Sequence, residues 1–74
     1  MKPDLAKVDD AVLALLALFA SDDRVSWKNY DYEATTRLHE QGFIDNPINK
    51  NKSLVLTDEG LARGRALAER LFAR

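Results

Sequence analysis

Apolar residues fall along this chain in three blocks of helical spacing separated by polar stretches. Residues 11–20 are an unbroken run of Ala, Val, Leu and Phe. At about 100° per residue, Val8, Val12, Leu15, Leu16 and Phe19 line one face, while Ala11, Ala14 and Leu18 lie on the far side. With Asp9 as N-cap, Val8 and Leu13 as a hydrophobic staple and Asp10 at the positive end of the dipole, the pattern predicts a first helix from Asp9. It stops at Ser21-Asp22-Asp23 and leaves residues 1–8 as an arm. Residues 21–30 are polar apart from Val25 and Trp27 and read as a loop.

Asp31 caps a second helix running to Gln41, on which Ala34, Leu38 and Gln41 share a face with Tyr30. Its exposed face carries Tyr32, Glu33, Thr36, His39 and Glu40. Gly42, just past the end, can take the left-handed conformation, so that Phe43 folds back onto Leu38 in a Schellman arrangement. Residues 43–45 and 53–56 are short strand candidates, and the Asn and Pro content of residues 46–52 suits a hairpin loop. Thr57 then caps a third helix, stapled by Leu56 and Leu61, with Asp58 and Glu59 in its first turn. Leu61, Gly64, Leu67, Ala68, Leu71 and Phe72 form its buried stripe and Arg63, Arg70 and Arg74 its opposite face.

The fold class expected is mainly α with a small β-hairpin, in one domain spanning 1–74. Seventy-four residues, 46% apolar and 31% charged, suit a single small core. The chain has no Cys and one His, which excludes disulfides, thiolate chemistry and a multi-histidine metal site. No catalytic, cofactor-binding or metal-binding residues are expected, and no cofactor. The run at 11–20 is preceded by Asp9 and Asp10 rather than by positive charge, and ten residues fall short of the ~20 that span a bilayer. Neither signal peptide nor membrane span is therefore expected, and the expected location is cytoplasmic.

The segment from Arg37 to Ile44 (Arg-Leu-His-Glu-Gln-Gly-Phe-Ile), followed by Leu54 to Gly60 (Leu-Val-Leu-Thr-Asp-Glu-Gly), resembles the end of a winged-helix domain. The resemblance covers residues 31–74 and implies a two-stranded wing between the last two of three helices. The whole chain also resembles a family of short bacterial proteins of unknown function. The shared features are the acidic cap with its Ala-Val-Leu-Ala-Leu-Leu helix, Trp27-Lys28 with Asp31, and the Arg37-Leu-His-Glu segment. Pro47 with Lys50, Lys52 and Ser53, and the Leu-Thr-x-Glu-Gly turn, complete the set. That family implies no activity. The winged-helix likeness departs from a DNA reader in two respects: the loop from Ser21 to Tyr30 is too short and polar to supply the support helix that precedes a recognition helix, and residues 31–41 carry Asp31, Glu33 and Glu40 against Arg37, where phosphates and guanine edges call for Lys, Arg, Asn or Gln.

Net charge is -1, but its distribution is uneven. The first 41 residues hold five basic and eight acidic side chains, and the remainder six basic and four acidic. Two function classes follow. The first is a non-enzymatic interaction module binding mainly protein, with Trp27, Lys28, Tyr32 and His39 as candidate partner contacts. Such a module would self-associate as a homodimer through Ala11, Ala14, Ala17 and Leu18, which a one-faced first helix leaves without an intramolecular partner. The second is an accessory nucleic-acid binder using Lys50, Lys52, Arg63, Arg70 and Arg74 against phosphates. The plainer readings are favoured for these residues: Lys50 and Lys52 as edge protection at a hairpin tip, Trp27 as a core plug, and His39 as a surface or capping residue.

Overall fold

The structure, a computed structural model, describes residues 1–22, 24–27, 30–47 and 53–74. Its elements run α1 (Leu5–Leu18), β1 (Val25–Trp27), α2 (Tyr32–Glu40), β2 (Ser53–Val55) and α3 (Asp58–Phe72). Among the described residues, three helices and one two-stranded antiparallel sheet make a mainly α, winged-helix-like arrangement. No helix among the described residues is long and apolar enough to cross a membrane.

The first helix begins a turn earlier than the periodicity predicts. Asp4, not Asp9, is the cap: its carboxylate accepts from the backbone N–H of Ala6 at 3.0 Å and of Lys7 at 3.4 Å. Residues 5–8 are therefore helical rather than an arm, and Val8 lies inside the helix with Leu13. Asp9 sits within α1 and is only 4% exposed. The reason is Arg37 on α2, whose Nε and Nη2 donate to Asp9 Oδ2 and Oδ1, each at 2.7 Å. This bidentate pair ties α1 to α2. Its hydrogen bond to Asp9 raises the Arg37 pKa above the ordinary guanidinium value; partial desolvation opposes this, and the charges of Asp9, Asp31 and Glu33 add to it. The stability that this shift contributes is fully present below the ordinary value and lost only as pH rises through the raised one, so it is constant at neutral pH. Arg37→Met alone strands a carboxylate in the core and should lower the thermal midpoint, whereas Asp9→Leu with Arg37→Met should recover most of that loss. Thermal denaturation showing the single variant as stable as wild type would remove the pair from the account.

The sheet also differs from the expected hairpin. β2 pairs with β1, in the register Val25↔Val55, Ser26↔Leu54 and Trp27↔Ser53. Along its other edge, the expected pairing of residues 43–45 with 53–56 is reduced to one bridge, Ile44↔Leu56, and the Asp45 N–H bond to the Val55 carbonyl at 2.9 Å. The stretch read as a polar loop supplies the main partner because Ser26 points inward. Its Oγ, buried, donates to the Leu16 carbonyl at 2.8 Å. Ala20 N–H turns instead to the Ala17 carbonyl at 3.3 Å, so Ser26 occupies the acceptor that a continuing helix would have used. Residues 48–52, including the expected hairpin tip, lie outside the described residues.

The end of α2 is as expected. Asp31 accepts from the Ala34 N–H at 3.2 Å. Gly42, at φ 82°, donates its N–H to the His39 carbonyl, and Phe43 donates to that of Leu38, both at 3.0 Å, which is the Schellman pair. Gln41, expected on the buried face, is exposed; Thr35 is buried instead and donates to the Tyr32 carbonyl at 3.0 Å.

The Leu-Thr-x-Glu-Gly turn locks α3 onto this corner. Thr57 accepts from the Gly60 N–H at 3.0 Å, donates its hydroxyl to the Gly42 carbonyl at 2.7 Å, and donates its N–H to the Phe43 carbonyl at 3.0 Å. Gly60 lies against the Phe43 backbone so closely that a Cβ would run into that carbonyl.

Leu13, Leu16, Leu38, Ile44, Leu54 and Leu56 form the centre of the core. α1 packs chiefly on α3, where Gly64 meets Leu13 and Ala17. This contact overturns the expectation that Ala14 and Ala17 await a second copy. Both are buried inside the subunit, and Ala11 is half-buried.

Candidate interaction surface

α1 and α3 end on the same side of the molecule. Between their last turns opens a groove of about 550 Å³, lined by Ala17, Leu18 and Ala20 from the α1 end and by Arg65, Ala68, Glu69, Phe72 and Ala73 from α3. Around it the apolar surface is unusually uncovered: Leu18 is 51% exposed, Phe19 69%, Leu71 48% and Phe72 46%. Single exposed leucines are ordinary, but several large apolar side chains at one end mark a contact surface.

Local structure explains the exposure. Phe19, predicted to continue the core face of α1, is the C-cap residue, with φ -102° and ψ 10°, and Ala20 then turns back. Helical phase is lost at Phe19, so its side chain leaves the stripe. Leu71 and Phe72, predicted to be buried, stand in the last turn of α3 beyond Leu67 and Ala68, where the core has ended. Of the four residues expected to self-associate, Leu18 alone is exposed at this surface.

Residues 4–74 match a family described as a domain of unknown function, DUF6429. The chain belongs to this family. An uncharacterised protein of Sinorhizobium fredii (strain NBRC 101917 / NGR234), y4hR, is 57% identical over 74 residues, covering the whole of both chains. No solved structure matches the chain.

The other predicted contact residues do not converge on the groove. Tyr32 is exposed at the start of α2. His39 is exposed as well, but its Nδ1 lies 3.1 Å from the Ile44 carbonyl, an acceptor, so Nδ1 carries the proton and the ring secures the corner after α2. Trp27 has its backbone in β1; its side chain, with Lys28, Lys50 and Lys52, lies outside what the structure describes. Arg63 is 3.8 Å from Asp10 across the α1–α3 contact and is partly neutralised there. Arg70 and Arg74 are exposed near the end of α3, and Arg24 pairs with Asp58.

Arg65 and Glu69, the charged residues of the groove, are absent from the sequence-derived candidates. Their signal was present as opposite charges four residues apart on α3, three residues ahead of Phe72. Reading α3 as one buried stripe facing one row of arginines passes over this third face. The arginine precedes the glutamate, the less favourable order for pairing along a single helix. Among the described residues no ion pair joins them.

Proposed function

We propose that this chain is a non-enzymatic interaction module that associates with itself through the apolar end formed by the last turns of α1 and α3. The observation that carries the reading is the exposure of Leu18, Phe19, Leu71 and Phe72 at the ends of α1 and α3, beside an alanine-rich groove. Burying such side chains between two copies is favourable by about 1.5–3 kcal/mol for each one fully covered, before the cost of association. A nucleic-acid role draws less support, because Arg63 is engaged with Asp10 and the second helix remains acidic on its outer face.

Light scattering over a concentration series tests the proposal. Wild type should move from 8.3 kDa toward twice that mass as concentration rises through the micromolar range. Phe19→Ser with Phe72→Ser should stay at 8.3 kDa with an unchanged helical spectrum, because both side chains are exposed in the subunit. A wild type fixed at 8.3 kDa up to high concentration would overturn self-association. Duplex DNA binding that falls steeply with salt would instead establish the phosphate-contact reading.

A further inference from the structure

The exposed face of α3 beside the groove has a spacing that reads the same in both directions and a chemistry that is complementary when reversed. Ala62, Arg65, Glu69 and Phe72 are spaced by three, four and three residues, so they lie in one stripe along the helix, bordered by Ala68, which shares the groove, and turned from the buried Gly64 and Leu67. Lay a second α3 antiparallel along that stripe, centred between Arg65 and Glu69, and each position meets a complement. Arg65 faces Glu69, Glu69 faces Arg65, and Phe72 faces Ala62, whose methyl group leaves room for a ring. Parallel alignment in register would set Arg65 against Arg65 and Phe72 against Phe72.

We propose that two copies of this chain dock about a two-fold axis through antiparallel α3 helices, with Arg65 of each subunit pairing Glu69 of its partner. The inference rests on the self-association proposed above and specifies its occupant and orientation. Three observations converge on a second copy. The groove has one residue of each charge in its lining, a balance that a two-fold operation neutralises. Phe72 and Leu18 stand half exposed beside small residues, so the surface holds both the projecting and the receiving elements that an isologous interface needs. Arg65 and Glu69 are both exposed, with no ion pair joining them among the described residues, and the Arg-before-Glu order is the weaker one for pairing along one helix, so both side chains are open to a partner. In this arrangement the ion pairs select the antiparallel orientation while Phe72 and Leu18 supply most of the buried apolar surface.

Reversing one charge at a time tests this directly. Arg65→Glu places two acidic residues opposite two acidic residues, and Glu69→Arg does the same with basic ones, so each variant alone should scatter as an 8.3 kDa monomer. Mixed in equal amounts, they restore both ion pairs in a heterodimer, and the mass should return to that of the wild-type dimer. Circular dichroism of each variant should match wild type, since both positions are exposed. A dimer persisting in either single variant, or a mixture that stays monomeric, overturns the antiparallel α3 interface. A wild type that is itself monomeric takes both proposals down; a dimeric wild type with dimeric single variants leaves self-association standing and removes only this orientation.

Discussion

Gly60→Ala should destabilise the protein by about 3 kcal/mol, a large share of the stability of so small a domain. The added Cβ would run into the Phe43 carbonyl oxygen and come within 2.6 Å of its carbon and 2.9 Å of its Cα. These are backbone atoms and cannot rotate away. Phe43 is itself held by the Schellman bond to Leu38 and by the Thr57 N–H, so relief requires α3 to lift from the corner that its cap defines. Ordinarily Gly→Ala inside a helix stabilises by about 1 kcal/mol, so the predicted sign is opposite to what helix propensity gives. Urea denaturation reads the difference as a fall in midpoint; an unchanged or raised midpoint would show that the Phe43–α3 approach is looser than described.

Leu16→Ala should cost about 2 to 5 kcal/mol, and Leu18→Ala less than about 0.5 kcal/mol. Leu16 is 0% exposed at the centre of the core, so truncation leaves a cavity that the surrounding leucines can fill only in part. Leu18, two residues on, faces solvent and loses little in the folded monomer. The comparison must be made at a concentration where the wild type is monomeric, because association would add to the apparent stability of any chain that keeps Leu18. Equal losses in the two variants would mean that α1 is rotated about its axis relative to the packing described here.

These contrasts show where the sequence was legible. Asp31, Gly42 and Thr57 are legible because a cap or a Schellman turn is a local arrangement, completed within a few residues. The role of Asp9 is not legible locally, for a complementary reason. Asp4 and Asp9 are equally good caps by type, and what decides between them is Arg37, 28 residues away. Ser26 has the same character, since its partner is a carbonyl on a different element. The apolar run at 11–20 correctly marked a helix, but its second face turned out to be covered by α3 at Gly64. The contact surface was the least legible part. Its position depends on where the core stops beneath α3, and the periodicity of Leu67, Leu71 and Phe72 continues past that point without a break.

The order of the partners along the chain governs how the protein can be made. α1 packs chiefly on α3, and β1 meets its strand partner about 30 residues further on, with α2 lying between them. A nascent chain that has presented α1 and β1 to the cytosol or to a chaperone has neither partner available, so its most apolar segment stays uncovered through most of synthesis. Folding therefore waits for α3 and then closes first and last elements together, as a single cooperative step rather than in sections. Premature termination before residue 58 leaves α2 and the small sheet against α1 but strips the face of Leu13 and Ala17 that Gly64 of α3 covers.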